Sequence, residues 1–213
     1  MNLSELRQNA GRRFARFTTN VVVSHPRFWR LLRPLTRYQF DRLAPQWTSM
    51  RSGDAFAPLD QALDTLPSEP KRVLDLGTGT GLAAFAIARR FPTASVVGSD
   101  IAEEMIAEAR GATPPELAER VRFEVADAAH LPFAAGSFDL VSLANMIPFF
   151  DELARVTAPG GYVLFSFSGG PETPIWVPPE RLRQELGERG FTDFADFQTG
   201  AGTAFLARRG DRQ

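Results

Sequence analysis

The chain has no cysteine and, in 213 residues, only two histidines (His25 and His130), two tyrosines and a single lysine, Lys71. Without cysteine there is no disulfide framework, no thiolate zinc site and no thiol nucleophile. That composition agrees with a reducing cytoplasm. The histidines lie far apart and no H-E-x-x-H pattern occurs, so no protein-ligated catalytic metal is expected. With one lysine there is no Tyr-x-x-x-Lys or comparable hydride-transfer set. Long apolar runs are missing too. The best, residues 18–24, falls far short of the roughly 18 uncharged residues a bilayer span needs. The h-region of a secretory signal is also wanting, whereas the arginine-rich, acid-poor start shares its composition with mitochondrial transit peptides.

What is present is unevenly spread. An apolar fraction of 44% and a charged fraction of 23% are those of a soluble globular chain, and the length suffices for one domain with a proper core plus a modest extension. The net charge of −1 conceals +8 over residues 1–51, with ten arginines against Glu5 and Asp41, and −9 over the remainder. Three readings of this basic arm compete. It can be a lid over a ligand that also attracts anionic substrates. It can dock on acidic lipid as a peripheral membrane contact, with Val21, Val22, Val23, Phe28 and Trp29 beside the arginines. Or its arginines are simply the solvated face of helices packed on the body. The acidic body and the lack of a recognised nucleic-acid motif argue against nucleic acid.

The chain divides into two regions: a basic helical extension over residues 1–51, and a body over 52–213. In the extension Leu6, Ala10, Phe14, Phe17 and Val21 recur at helical spacing. Pro26 and Pro34 punctuate the next stretch, and a further short helix over 38–43 is expected to stop at Pro45. A helix over 55–66 ends at Pro67-Ser68-Glu69-Pro70. From Lys71 strands (72–76, 94–98, 121–125, 138–143, 162–167) alternate with helices (83–90, 102–110, 149–157, 179–188), and the end reads as a hairpin around Gly200-Ala201-Gly202. The expected fold is α/β: a Rossmann-like, doubly wound, mostly parallel seven-stranded sheet with a C-terminal antiparallel hairpin and an N-terminal helical extension.

The strongest chemical signal is Val73-Leu74-Asp75-Leu76-Gly77-Thr78-Gly79-Thr80-Gly81, a strand entering a glycine-rich turn before a helix. Glycines there let the backbone approach a ligand closely, with the helix N-terminus behind. Gly79-Thr80-Gly81-Leu82-Ala83-Ala84 also satisfies the dinucleotide pattern G-x-G-x-x-A. The glycines alone therefore leave NAD and S-adenosylmethionine open. Asp75, two residues before the turn, would repel a pyrophosphate and attract a cationic ligand, which argues for the latter. Asp100 ends the second strand and suits ribose hydroxyls in either cofactor; it can also serve as N-cap of the following helix.

After the third strand comes Ala126-Asp127-Ala128, then Leu131-Pro132-Phe133 and Gly136-Ser137-Phe138-Asp139-Leu140-Val141; Glu152-Leu153-Ala154-Arg155-Val156-Thr157-Ala158-Pro159-Gly160-Gly161 precedes the fifth strand. This ordered series resembles the class I S-adenosylmethionine-dependent methyltransferases, in particular the ubiquinone/menaquinone and small-molecule branch. The resemblance implies a cofactor set of Asp75, Gly77, Thr78, Gly79, Asp100, Ile101, Asp127 and Ala128, with Met105 and Ile101 as an apolar wall for adenine. It implies that Asn145 and Met146 line the reaction centre, and that residues 38–47 form an aromatic lid. One departure is the short linker, five residues, between Leu143 and Phe149.

The reading of function is methyl transfer from S-adenosylmethionine to a small-molecule or lipid-like acceptor, in a cytoplasmic enzyme with a membrane-associated variant of that reading. Such transfer rests on positioning and requires no catalytic triad. If a base is used, His130 and Asn145 are the weak candidates, although a loop histidine is more often merely solvated. The alternatives are an NAD(P)-dependent oxidoreductase and a cofactor-binding but inactive partner protein.

Overall fold

The computed structural model describes residues 3–47 and 56–211, with side chains from residue 10 onward. The arm is two long helices, α1 (Leu3–Ser24) and α2 (Trp29–Trp47), joined by a 3-10 turn at Pro26–Phe28. The boundary expected near residue 51 lies outside the described residues, and so does the start of the helix expected over 55–66, seen as α3 (Ala57–Leu63). The body then runs β1 (Arg72–Leu76), α4 (Leu82–Arg90), β2 (Ser95–Asp100), α5 (Glu103–Gly111), β3 (Val121–Val125), β4 (Phe138–Ala144), α6 (Phe150–Val156), β5 (Thr157–Phe167), α7 (Pro179–Gly187), β6 (Phe191–Thr199) and β7 (Gly202–Arg209).

The seven strands form one sheet in the order β3-β2-β1-β4-β5-β7-β6, parallel from β3 to β5, with β7 antiparallel to both its neighbours. Alternate residues of each strand bury on opposite faces, so both faces need an apolar cover. On one face Val73, Leu140 and Leu164 meet α3 and α4 through Leu59, Leu63, Ala84 and Ile87. On the other, Leu74, Val141 and Phe165 meet α6 and α7 through Leu153, Leu182 and Leu186. The strand order reverses at β1, with β2 on one side and β4 on the other, and a doubly wound sheet opens a crevice at the carboxyl ends there.

The arm corrects three expectations. Pro34 and Pro45 do not end helices: both lie inside α2. An internal proline costs about 3 kcal/mol; that is offset because α2 is held on its body side, where Trp29, Thr36 and Ala44 are buried and the helix packs on α5. The buried side of α1 runs through Thr18, Thr19 and Val22, while Phe17 is 57% exposed. The apolar periodicity of that segment therefore does not mark its buried face. Val22 and Trp29, grouped above with the residues facing lipid, are in fact in the core at 0% and 4% exposure.

Candidate functional site

The glycine turn after β1 takes its shape from three left-handed residues, Gly77, Gly79 and Gly81, with φ of 70, 54 and 86°. Close neighbours as well as φ oppose a side chain on all three: a Cβ on Gly77 would sit 2.6 Å from Met146 Sδ, one on Gly79 2.9 Å from Trp47 Nε1, and one on Gly81 2.8 Å from Phe123 Cζ. The turn's amides are spent within the protein. Gly77 N–H and Thr78 N–H both donate to the Ser99 carbonyl (2.8 and 3.0 Å), Gly81 N–H to the Thr78 carbonyl (3.0 Å), and Gly79 N–H to Asp100 Oδ2 (3.0 Å). A phosphate cradle needs open amides converging on the ligand. Here they are taken by two carbonyls and a carboxylate.

Asp100 joins the turn to the next loop, since its other oxygen accepts from Ala102 N–H at 3.0 Å. It is not the N-cap of α5. That position is Ala102, and no side chain caps the helix. Burial pushes the Asp100 carboxyl above its usual range, against the opposing hydrogen bonds from the Ala102, Gly79 and Ile101 amides. A cavity opens beside it, walled by Ile101, Met105, Ala126 and Ala128 on the β2–β3 side and by Asn145 and Met146 after β4. The walls are mostly apolar. Leu131 to Phe133, following Ala128, is pinned by an ionic clamp: Glu152 accepts from Leu131 N–H (2.6 Å) and from the Arg155 guanidinium (2.6 and 2.7 Å), while Arg155 donates to the carbonyls of Leu131 and Phe133. Burial pushes the Glu152 carboxyl up, but Arg155 and the Leu131 amide outweigh it and hold it below its ordinary range.

Four expected site residues, Asp75, Thr78, Asp127 and His130, lie off the cavity lining. Asp75 does not reach the cavity: it is 1% exposed, beneath the turn, and accepts a 2.6 Å hydrogen bond from Thr78 Oγ1. Strand alternation sends its carboxylate under the loop, so Asp75 and Thr78 together shape the turn without lining the cavity. Asp127 turns toward the arm. Its carboxylate accepts from Trp29 Nε1 (2.8 Å), Arg33 (3.0 Å) and Ala129 N–H (3.0 Å). His130 is exposed and off the cavity wall. Asn145 does line the cavity, with a left-handed φ of 54°, but its amide is locked to Ser168: Oδ1 accepts from Ser168 N–H at 3.0 Å and Nδ2 donates to Ser168 Oγ at 3.2 Å.

The outer wall of the cavity was not legible residue by residue. It comes from the arm: Phe14 and Thr18 of α1, and Trp29, Thr36, Gln39, Phe40 and Trp47 of α2. Within the expected lid segment, Phe40 and Trp47 point inward, with rings 5.5 Å apart, whereas Tyr38 is 58% exposed. Trp29 stacks edge-on against Phe149 at 5.3 Å. Burial of Thr36 and Ala44 alongside them gives the inward stripe helical spacing, the one signal in the sequence that could have marked it.

A family described as "Methyltransferase domain" matches residues 73–161, from β1 to the start of β5. Residues 73–161 are thus similar to methyltransferase domains. Demethylmenaquinone methyltransferase of Thermus thermophilus is 44% identical to the chain over 115 residues, which is 50% of this chain and 52% of that protein. Malonyl-acyl-carrier-protein O-methyltransferase of Halorhodospira halophila is 39% identical over 120 residues, 53% of this chain and 40% of that protein. The chain thus spans about half or less of the curated relatives it matches. A solved structure from Aquifex aeolicus, described as a SAM-dependent methyltransferase, shares the fold of the methyltransferase domain with a TM-score of 0.63 at 16% identity, over 78% of this chain and 97% of that one.

Proposed function

We propose that the chain binds S-adenosylmethionine at the carboxyl end of β1 and β2 and transfers its methyl group to a small-molecule or lipid-like acceptor. The observation that carries this reading is the commitment of the Gly77, Thr78, Gly79 and Gly81 amides, together with the Asp100 carboxylate beside Gly79. A pyrophosphate would meet a carboxylate and no open cradle. A ligand of cationic sulfonium and ribose hydroxyls suits the same surface. The engaged turn amides thus take over the discriminating role expected of Asp75, and the nicotinamide alternative is set aside.

In this arrangement Asp100 holds the ribose hydroxyls, Ile101, Met105, Ala126 and Ala128 form the slot for the adenine ring, and Gly77 and Gly79 admit the methionine portion at close range. The cofactor supplies a methyl group already made electrophilic by the sulfonium. The protein's own share is to orient the acceptor in line and to exclude water, for which the arm's Trp29, Phe40 and Trp47 supply the cover. Asp127, engaged by Trp29 and Arg33, is a candidate adenine contact. The apolar wall favours an acceptor with an apolar body, in keeping with relatives named for a quinone and for an acyl-carrier conjugate.

The test is methyl transfer itself. Purified protein is incubated with methyl-labelled S-adenosylmethionine and a panel of quinols, acyl thioesters and small phenols. Labelled product with stoichiometric S-adenosylhomocysteine supports the reading. A protein that binds the cofactor tightly yet labels nothing across the panel is instead the inactive partner considered above.

A further inference from the structure

Among the described residues six large apolar side chains are exposed, and five of them belong to the arm: Phe17, Phe28, Leu31, Leu35 and Tyr38. The last four are spaced by three, four and three residues along the 3-10 turn and α2, which aligns them on one side of the helix. Leu31 is 75% exposed and Leu35 52%. A soluble surface scatters such residues singly, whereas a contiguous stripe of four marks a contact.

The charge around the stripe is of one sign. Arg27, Arg30 and Arg42 are exposed on or beside it. Arg27 lies over the Phe28 ring at 5.3 Å and Arg42 over the Tyr38 ring at 5.8 Å. The neighbouring acids are on the body side and paired there: Asp41 and Glu103 with Arg37, and Asp127 with Arg33. Leucine and aromatic side chains edged by guanidinium groups form the surface of a helix that lies in the interface of a negatively charged bilayer. No helix among the described residues is long and apolar enough to cross one.

We propose that the outward face of α2 docks on an anionic lipid surface. The opposite side of the same helix walls the cavity with Thr36, Phe40 and Trp47, so the docked helix lies between the bilayer and the cavity. Exposure and charge alone carry this docking, independent of which reaction the cavity performs.

Flotation with vesicles tests it, using the full chain and two lipid compositions: phosphatidylcholine alone, and phosphatidylcholine with phosphatidylglycerol. The protein should float with the anionic vesicles, less so as salt rises, and stay behind with the neutral ones. The exposed double substitution Leu31→Ser/Leu35→Ser should lower the partition coefficient roughly tenfold or more, and Arg27→Gln or Arg30→Gln roughly fivefold each, with thermal unfolding unchanged. No flotation, equal flotation with neutral lipid, or full retention by the leucine variant overturns the proposal. So does a dimer in sedimentation velocity that disappears with the leucines, since the stripe would then be covered by a second copy.

Discussion

The body and the arm use the same residue types to opposite ends. In the body, Arg120 sinks its guanidinium among the carbonyls of Ala88, Phe91 and Ala94 at the end of α4, and Arg155 is spent on Glu152 and the carbonyls of Leu131 and Phe133. Body leucines such as Leu74 are wholly buried. In the arm, Leu31 and Leu35 stand in solvent beside Arg27 and Arg30. The arm is fastened to the body by polar ties: Arg12 and Arg16 to the carbonyls of Glu172 and Pro171, Trp29 and Arg33 to Asp127, Arg37 to Glu103, and Asp41 to the Glu104 amide. Burial therefore defines one region and presentation the other. A site shared between them has its floor in the body and its cover in the arm.

That contrast can be broken first at two leucines. Leu74→Ala should destabilise the protein by about 3 kcal/mol, because a β1 side chain buried between sheet and helix leaves a cavity. Leu31→Ala should change stability by no more than about 0.5 kcal/mol. Urea unfolding checks both, and similar costs would mean that the arm's outer face is not free. The glycine turn comes next. Gly79→Ala forces a side chain into a left-handed residue at the Trp47 ring, which should cost about 1–2 kcal/mol and lower cofactor affinity roughly tenfold, by calorimetry.

Smaller effects probe the ties. Trp29→Phe keeps the ring against Phe149 but removes the donor to Asp127, which should cost about 1 kcal/mol locally. Amide exchange in α2 should then quicken roughly fivefold while β1 is unaffected. The pH response is subtler. Asp100 accepts most strongly, and through both oxygens, when ionised, and burial raises its folded value above 3.8. The unliganded fold thus gives up stability as pH rises through that raised value, and cofactor affinity is lost as pH falls through it. Affinity measured across an acid series should decline at a higher pH than an ordinary aspartate would dictate.

Much of the floor was legible in the sequence, because its signals are local. Strand β1 and strand β3 occupy the expected residues, the hairpin closes where the glycines cluster, and Asp100 comes within hydrogen-bond reach of Gly79. The cover was not, since tertiary packing decided it. Prolines 34 and 45 were overridden by what α2 rests on, and the inward or outward direction of Trp29 and Tyr38 depends on where the helix lands. Asp75 and Asp127 show the same limit at the level of single carboxylates. Their positions in the chain put both near the crevice, but strand alternation drew one beneath the turn and α2 engaged the other.

The central claim is that the crevice at β1 and β2 takes a sulfonium nucleoside through Asp100. Calorimetric titration of the wild-type protein and Asp100→Ala with S-adenosylmethionine and with NAD tests it most directly. The expected result is saturable binding of S-adenosylmethionine alone, weakened roughly ten- to a hundredfold in a variant whose thermal unfolding remains cooperative. Preferential binding of NAD, or undiminished affinity in a folded Asp100→Ala variant, would contradict it.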